Sequence, residues 1–149
     1  MIERYKQYLK LEKSCSSNTL DAYLKDLKKL EAYVKEAGKG LLDVTLDDLH
    51  HFFASLHDVN IHPRSQARIL SGIRSFYRFL VLEDYIQADP TELIENPRLG
   101  RKLPDVLTVE EIDNIINSID LSKTEGQRDR AILEVLYSCG LRVSELCNL

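Results

Sequence analysis

The feature that most constrains the fold is the helical period of residues 64–85, RSQARILSGIRSFYRFLVLEDY. An α-helix turns about 100° per residue, so this stretch places its apolar residues on one side and its small or basic residues on the other. The apolar side holds Ile69, Ile73, Phe76 and Leu80. The opposite side holds Arg64, Arg68, Ser71, Ser75 and Arg78. The stretch therefore predicts a long amphipathic helix, opened by Pro63, with one core face and one Arg/Ser face.

Three more helices are predicted before it, and no stretch shows the alternation of a strand. The first covers Ile2 to about Lys13. The second begins at a cap at Ser17 or Asn18, stops at Gly38 and carries one apolar stripe, Leu20, Leu24, Leu27 and Val34. The third follows Thr45, with Asp47 and Asp48 in its first turn, where carboxylates suit the helix dipole. Four helices joined by short loops predict a compact all-α domain over residues 1–86.

The composition changes in residues 87–106, which hold three of the four prolines and the basic residues Arg98, Arg101 and Lys102. Prolines at this density break regular helix, so we expect a linker or an extended strap. A further helix is predicted after a capping box, Thr108 with Glu111, and has an apolar series, Val109, Ile112, Ile115, Ile116 and Ile119. Another runs from about Gln127 to Cys139 and ends at Gly140. Residues 107–149 thus predict the start of a second helical domain, which we expect to be incomplete.

The charge and the cysteines bound the class of protein. The chain has 149 residues and a net charge of −4, but residues 105–149 carry nine acidic and four basic residues, whereas residues 1–104 carry 15 and 16. The charged N-terminus does not resemble a signal peptide, and no apolar run is long enough for a membrane span. Three cysteines without a CxxC motif indicate a reduced, cytoplasmic protein. We expect Cys139 to be a small buried apolar residue.

The basic residues are concentrated on helix faces. Between Asp58 and Glu83 there is no acidic residue, although four arginines occur there. A solvated helix face usually mixes both signs, because pairs of opposite charge four residues apart stabilise a helix. Basic and small polar side chains without acids suit a DNA groove, while an ordinary solvated face is the plainer alternative. The predicted DNA contacts are Asn18, Thr19, Lys25, Lys29, Arg64, Ser65, Arg68, Ser71, Arg74, Arg78, Arg101 and Lys102.

Other chemistries find little support in the sequence. His50, His51 and His57 share a helix with two aspartates but lack a zinc spacing, so no metal site is predicted. No histidine and carboxylate stand in a recognisable motif with Ser138 or Ser144, and Ser144 is interpreted as a helix cap. The glycines at 38 and 40 follow a helix rather than a strand, which disfavours a nucleotide-binding loop.

Three stretches together resemble the tyrosine recombinases, and the bacterial Xer branch most closely. SSNTLDAYLKDL is similar to the second helix of their four-helix, SAM-like core-binding domain. ENPRLGRKLPDVLTVEEID is similar to the linker and the entry to their catalytic domain. RDRAILEVLYSCGLRVSEL resembles the segment that bears their first catalytic arginine. The stretches occur in the family's order and span nearly the whole chain.

The resemblance implies a role for the end of the chain. Arg142 would be the first of two arginines that hold the scissile phosphate, and Glu145 would steady it. The local pattern agrees, because Gly140 ends one helix and another begins after Arg142, next to a helix N-terminus that suits an anion.

The family mechanism is attack by a tyrosine on a DNA phosphate, giving a 3′-phosphotyrosyl intermediate without a metal or other cofactor. The chain contains no His-x-x-Arg, and none of its seven tyrosines stands in the nucleophile's context. The resemblance therefore implies the DNA-binding N-terminal half of a site-specific recombinase, inactive alone. The full protein would form homo- or hetero-tetramers on double-stranded DNA, for chromosome-dimer resolution or mobile-element integration. Alternatives are a non-catalytic DNA-binding regulator with a similar N-terminal domain, or a helical adaptor with an incidental basic face.

Overall fold

The computed structural model describes residues 1–100 and 105–149, and within these residues it consists of helices without a strand. The chain forms two compact units, Met1–Gly100 and Arg101–Leu149. The predicted all-α fold class is confirmed. None of the described helices is both long and apolar enough to cross a membrane.

The helix order follows the predicted order. The first unit holds α1 (Ile2–Leu11), α2 (Ser17–Glu36), α3 (Leu46–Asp58) and α4 (Pro63–Leu82). The second unit holds α5 (Val109–Asn117), α6 (Gly126–Cys139) and α7 (Val143–Leu146). Two ends were predicted too late: α1 ends at Leu11, and α4 ends at Leu82, three residues before Tyr85. After α4 the chain turns at Asp84, which has a φ of 57°.

The helix starts follow from capping chemistry. Thr45 caps α3 through a reciprocal pair, in which Asp48 N–H donates to Thr45 Oγ1 at 3.3 Å and Thr45 N–H donates to Asp48 Oδ2 at 2.8 Å. Thr108 and Glu111 form the predicted capping box on α5. The predicted cap of α2 was wrong, because Ser16 is the residue in extended conformation there and its Oγ accepts from Thr19 N–H. An N-cap residue lies just before the first helical residue, and Ser17 is already helical.

The core of the first unit lies between α2 and α4, with α1 and α3 packed against them. Both helices turn their predicted apolar stripes inward, and the largest fully buried side chains are Tyr5, Tyr77, Phe52, Phe76, Phe79, Leu9, Leu27, Leu30, Leu49, Ile69, Leu70 and Ile73. Gly72 allows α2 to approach, since a Cβ there would lie 3.2 Å from Tyr23 Cδ1. This close packing fixes which polar residues of α2 and α4 face each other.

Part of the segment expected as a linker packs on the first unit. Thr91 is fully buried, and Ile94 belongs to the hydrophobic core. The Arg74 guanidinium donates to the Ile94 carbonyl and, at 2.9 Å, to Asn96 Oδ1. Residues 87–96 thus lie against α4. The boundaries of the three predicted segments, 1–86, 87–106 and 107–149, stay a prediction.

The second unit is built around the contact of α5 with α6. Gly126, the first residue of α6, must be glycine, because a Cβ there would lie 2.1 Å from the Asp120 carbonyl oxygen. Gly140 ends α6 in the left-handed conformation, with a φ of 61°, as the sequence predicts. Cys139 was predicted to be buried, but it is exposed at the last residue of α6.

Candidate nucleic-acid interface

The largest group of predicted contact residues lines one concave surface on α2 and α4, which we call the basic cleft. Its lining residues are Asn18, Asp21, Ala22, Lys25, Asp26, Lys28, Lys29 and Arg68. Four cations therefore face two carboxylates, an excess of positive charge. The cleft brings together Asn18, Lys25, Lys29 and Arg68, which are up to 50 residues apart in the sequence, because α2 and α4 pack side by side.

A buried carboxylate lies at the floor of the cleft. The Asp26 side chain is 1% exposed and forms a two-armed ion pair with Arg68, whose Nη2 donates to Oδ1 at 3.0 Å while Nη1 donates to Oδ2. Lys29 Nζ lies 3.5 Å from the same Oδ1. The Arg68 side chain nevertheless remains 45% exposed. Asp26 therefore holds one edge of the Arg68 guanidinium, while the rest of the side chain is open to the cleft.

Sequence reasoning missed Asp26. The α4 stretch contains no acid, but the fold places this carboxylate of α2 against it, so the Arg/Ser face is not free of acids in three dimensions. A local indication exists: Asp26 directly precedes the core residue Leu27 and stands three residues before Lys29. An acid at the border of an apolar stripe must be buried with a partner or turned outward. Which partner it takes is decided by the packing of α4.

Arg64 and its neighbours lie outside the basic cleft. Arg64 is exposed in the first turn of α4, and its guanidinium pairs with no carboxylate in the described part of the chain. Ser65 and Ser71 are exposed, and Ser75 is half-buried. Thr19 is half-buried at the start of α2, where its hydroxyl lies 3.0 Å from Ser16 Oγ. These residues form the continuation of the same surface along each helix rather than the floor of the cleft.

Arg74 and Arg78 belong to a different hollow. It lies between α4 and the chain that follows, and Gln87, Asp89, Thr91 and Glu92 also line it. Arg74 is engaged by Ile94 and Asn96, whereas Arg78 is exposed. The remaining two predicted contacts, Arg101 and Lys102, lie outside the described residues.

Arg142 occupies the corner between α6 and α7. Its backbone N–H donates to Glu145 Oε2 at 2.7 Å, and its Nη1 donates to Glu145 Oε1 at 3.0 Å. The interpretation of Ser144 as the cap was wrong: Arg142 holds the cap position, and the Glu145 carboxylate satisfies its N–H. The guanidinium side chain is 83% exposed. Glu145 thus contacts both the backbone and the side chain of Arg142, so it orients the arginine without covering it.

Two tyrosines and three histidines of the first unit were the other groups to consider for chemistry. Burial raises the pKa of Tyr5 and Tyr77, whose hydroxyls donate to the Gly72 and Leu41 carbonyls. The three helical histidines are exposed, and residues 1–100 and 105–149 hold no cluster able to bind a metal.

Two family models match the chain. Residues 2–84 match the N-terminal SAM-like domain of phage integrases, and residues 105–149 match the phage integrase family. The chain therefore belongs to the phage integrase family of tyrosine recombinases, and the predicted resemblance is confirmed.

The chain is also similar to individual recombinases. It is 43% identical to tyrosine recombinase XerD of Staphylococcus haemolyticus (strain JCSC1435) over its whole length, which corresponds to 51% of that protein. It is 41% identical, over the same shares, to tyrosine recombinase XerD of Staphylococcus aureus (strain Mu50) and of Staphylococcus saprophyticus. The chain spans about half the length of the curated relatives it matches.

Proposed function

We propose that this chain is the DNA-binding N-terminal half of an Xer-type, site-specific tyrosine recombinase. The observation that carries the proposal is the ordered match of both units to the recombinase family, with Arg142 and Glu145 in the expected motif. The basic cleft of the first unit supports a role in holding a duplex. The complete protein would break and rejoin DNA through a 3′-phosphotyrosyl intermediate, for chromosome-dimer resolution or mobile-element integration.

The chain's own contribution to the reaction has two parts. Lysines and arginines of the first unit neutralise phosphates along the duplex, which supplies most of the affinity. Arg142 donates paired hydrogen bonds to non-bridging oxygens of the scissile phosphate, and Glu145 keeps the guanidinium in place. The nucleophilic tyrosine and the other catalytic groups would lie outside this sequence. The recombinase would work in the cytoplasm as a homo- or hetero-tetramer on DNA.

The test uses the full-length protein and a duplex that it has selected from a random-sequence pool. A nick placed near the cleavage position traps the covalent intermediate, because the short cleaved strand diffuses away. We expect a protein–DNA adduct that survives denaturant and is destroyed by protease. Tight, site-selective binding without any adduct would favour the non-catalytic regulator instead. Binding no tighter than about 10⁻⁴–10⁻⁶ M at physiological salt, without site preference, would favour the adaptor.

A further inference from the structure

The ion pair at the floor of the basic cleft uses one edge of the Arg68 guanidinium and leaves another free. The Asp26 carboxylate accepts one hydrogen bond from Nη1 and one from Nη2. A guanidinium carries five N–H donors, so Nε–H and the outer hydrogens of both Nη atoms remain. Nε–H and its neighbouring Nη–H point in parallel and form a second fork. In the described part of the chain no acceptor contacts Nε, and the side chain is 45% exposed.

Asp26 also has an electrostatic cost for DNA binding. A carboxylate under a phosphate-binding surface repels every duplex, whatever its sequence. It occupies no space that an uncharged residue could not fill, and it neutralises one of the four cations of the cleft. In return, Asp26 orients Arg68: the ion pair fixes the plane of a guanidinium that would otherwise be flexible, and so fixes the direction of its free donors.

We infer that Asp26 is a positioning residue for sequence readout: it fixes Arg68 so that the free Nε/Nη fork meets a base edge in one geometry only. A fixed fork suits the O6 and N7 acceptors of guanine in the major groove, the usual partner of a bidentate arginine. Lys29, 3.5 Å from Asp26, completes the support from the α2 side. The inference rests on the proposed function, since it requires that the cleft binds DNA.

The two possible roles of Asp26 predict different effects of Asp26→Asn on the preference for the selected site. If Asp26 only balances charge, Asp26→Asn should strengthen binding to all duplexes equally, because the cleft becomes more positive. If it positions Arg68, the same variant should bind mixed-sequence DNA at least as tightly but lose its preference for the selected site. One bidentate contact discriminates between bases by roughly 10-fold to 100-fold. We therefore expect the ratio of selected-site to mixed-sequence affinity to fall about ten-fold or more.

The matched control is Asp21→Asn. Asp21 lines the same cleft on the same helix, is exposed, and makes no contact with Arg68. It removes the same charge, so it should raise affinity for both duplexes and leave their ratio within about two-fold of wild type. A second variant, Arg68→Lys, keeps both charges but has no fork. It should lower the ratio as Asp26→Asn does.

The experiment is a fluorescence-anisotropy titration of the full-length protein at fixed salt. The selected duplex and a mixed-sequence duplex of equal length serve as probes, and thermal unfolding shows that each variant is folded. If Asp26→Asn keeps the wild-type ratio, the inference is overturned while the proposed function stands, whatever Arg68→Lys does. If Asp26→Asn does not fold, Asp26→Ala gives the same test, because it also removes the carboxylate that holds the Arg68 guanidinium. A wild-type protein that selects no sequence overturns the proposed function and this inference with it.

Discussion

Asp26 and Arg68 depend on each other unequally, because one is buried and the other is not. Asp26 is 1% exposed and Arg68 is 45% exposed. Removing the arginine leaves a buried carboxylate with only Lys29 nearby, whereas removing the aspartate leaves a cation that water can reach. Breaking a buried pair costs about 3–5 kcal/mol when the remaining charge is trapped, and far less when it is not.

We therefore expect Arg68→Ala to lower the free energy of unfolding by about 3 kcal/mol and Asp26→Ala by about 1 kcal/mol. Urea unfolding, followed by far-ultraviolet circular dichroism, measures both. Equal losses, or a larger loss for Asp26→Ala, would contradict the burial on which the asymmetry rests.

Under the proposed function, substitutions at Arg142 should separate DNA binding from the chemical step. Its side chain is 83% exposed and held at one point by Glu145. A donor that acts on charge developing in the transition state affects the reaction rate more than binding, and its loss typically costs about 10²–10³ in rate.

In the full-length protein, Arg142→Ala should bind its site within a few-fold of wild type yet form adduct at least about 100-fold more slowly. Arg142→Lys should recover little, because an ammonium lacks the fork. A gel-shift titration beside the nicked-duplex assay measures both quantities. Adduct formation at near the wild-type rate in Arg142→Ala would mean that the arginine plays no part in the chemistry.

At the scale of the element, the stability of the N-terminus of α3 depends on pH through Asp48. Hydrogen bonds from Lys39, then from Thr45, lower the pKa of Asp48 from 3.8 to about 2. Lys39 Nζ lies 2.7 Å from Asp48 Oδ2. A folded-state pKa below the unfolded one means stability that is present above about pH 4 and is lost as pH falls from about 4 to 2.

Lys39→Ala removes the first of these causes, so acid unfolding should begin at a higher pH than in wild type. Circular dichroism from about pH 5 to about pH 2 detects the shift. The control is Lys35→Ala, which deletes an exposed lysine in the last turn of α2. Identical acid transitions in the two variants would show that the Lys39–Asp48 pair does not stabilise α3.

The start of α6 depends on a single close approach. A Cβ at Gly126 would lie 2.1 Å from a backbone oxygen, and backbone cannot yield as a side chain can. Gly126→Ala should therefore destabilise the second unit by more than about 2 kcal/mol, despite alanine's better helix propensity. Gly100→Ala, where a Cβ meets nothing within 4 Å, is the control in thermal unfolding. A stabilised Gly126→Ala would exclude the approach seen here.

At the scale of the whole molecule, the two units differ in how well they bury their apolar residues. The core of the first unit contains many side chains that are fully buried, whereas in the described part of the second unit only Ile116 among the large aliphatic residues is buried. An open apolar groove runs along α5 and α6, lined by Leu107, Ile112, Ile115, Ile116, Leu133, Leu136 and Tyr137.

In the 149-residue polypeptide, amide hydrogens of α5 and α6 should therefore exchange through openings of lower free energy than those of α2 and α4. Native-state hydrogen exchange with mass spectrometry measures the difference. Equal protection in the two units would indicate that the groove is covered in solution, for example by another copy of the chain.

DNA binding by the first unit should depend on salt through its unpaired cations. Lys25 lines the cleft and Arg64 lies beyond it, and neither side chain pairs with a carboxylate in residues 1–100 or 105–149. The double variant Lys25→Ala/Arg64→Ala should flatten the slope of log K against log salt by about 0.9 for each DNA phosphate that these side chains neutralise in the wild type. Lys35→Ala, on the same helix but outside the cleft, is the control. An unchanged slope in the double variant would remove these two residues from the interface.

The sequence by itself determined the features that depend on neighbours within one helical turn. The apolar period of α4 predicted its buried face, Thr45 and Thr108 predicted helix starts, and Gly140 predicted the end of α6. Each rests on interactions three or four residues apart, which a single sequence displays. The family, too, was recognisable from three short stretches in order.

Only the tertiary structure decided which polar residues meet. Asp26 and Arg68 are 42 residues apart, and Arg74 and Ile94 are 20 apart, so no helical period relates the members of either pair. The prediction for Cys139 failed for the same reason, because burial depends on what covers a helix end and not on the residue itself. The packing of α2 on α4, permitted at Gly72, places the buried Asp26 beside an arginine stripe that has no acid of its own. A charge that leaves water needs a partner, and the helix that packs against it supplies that partner.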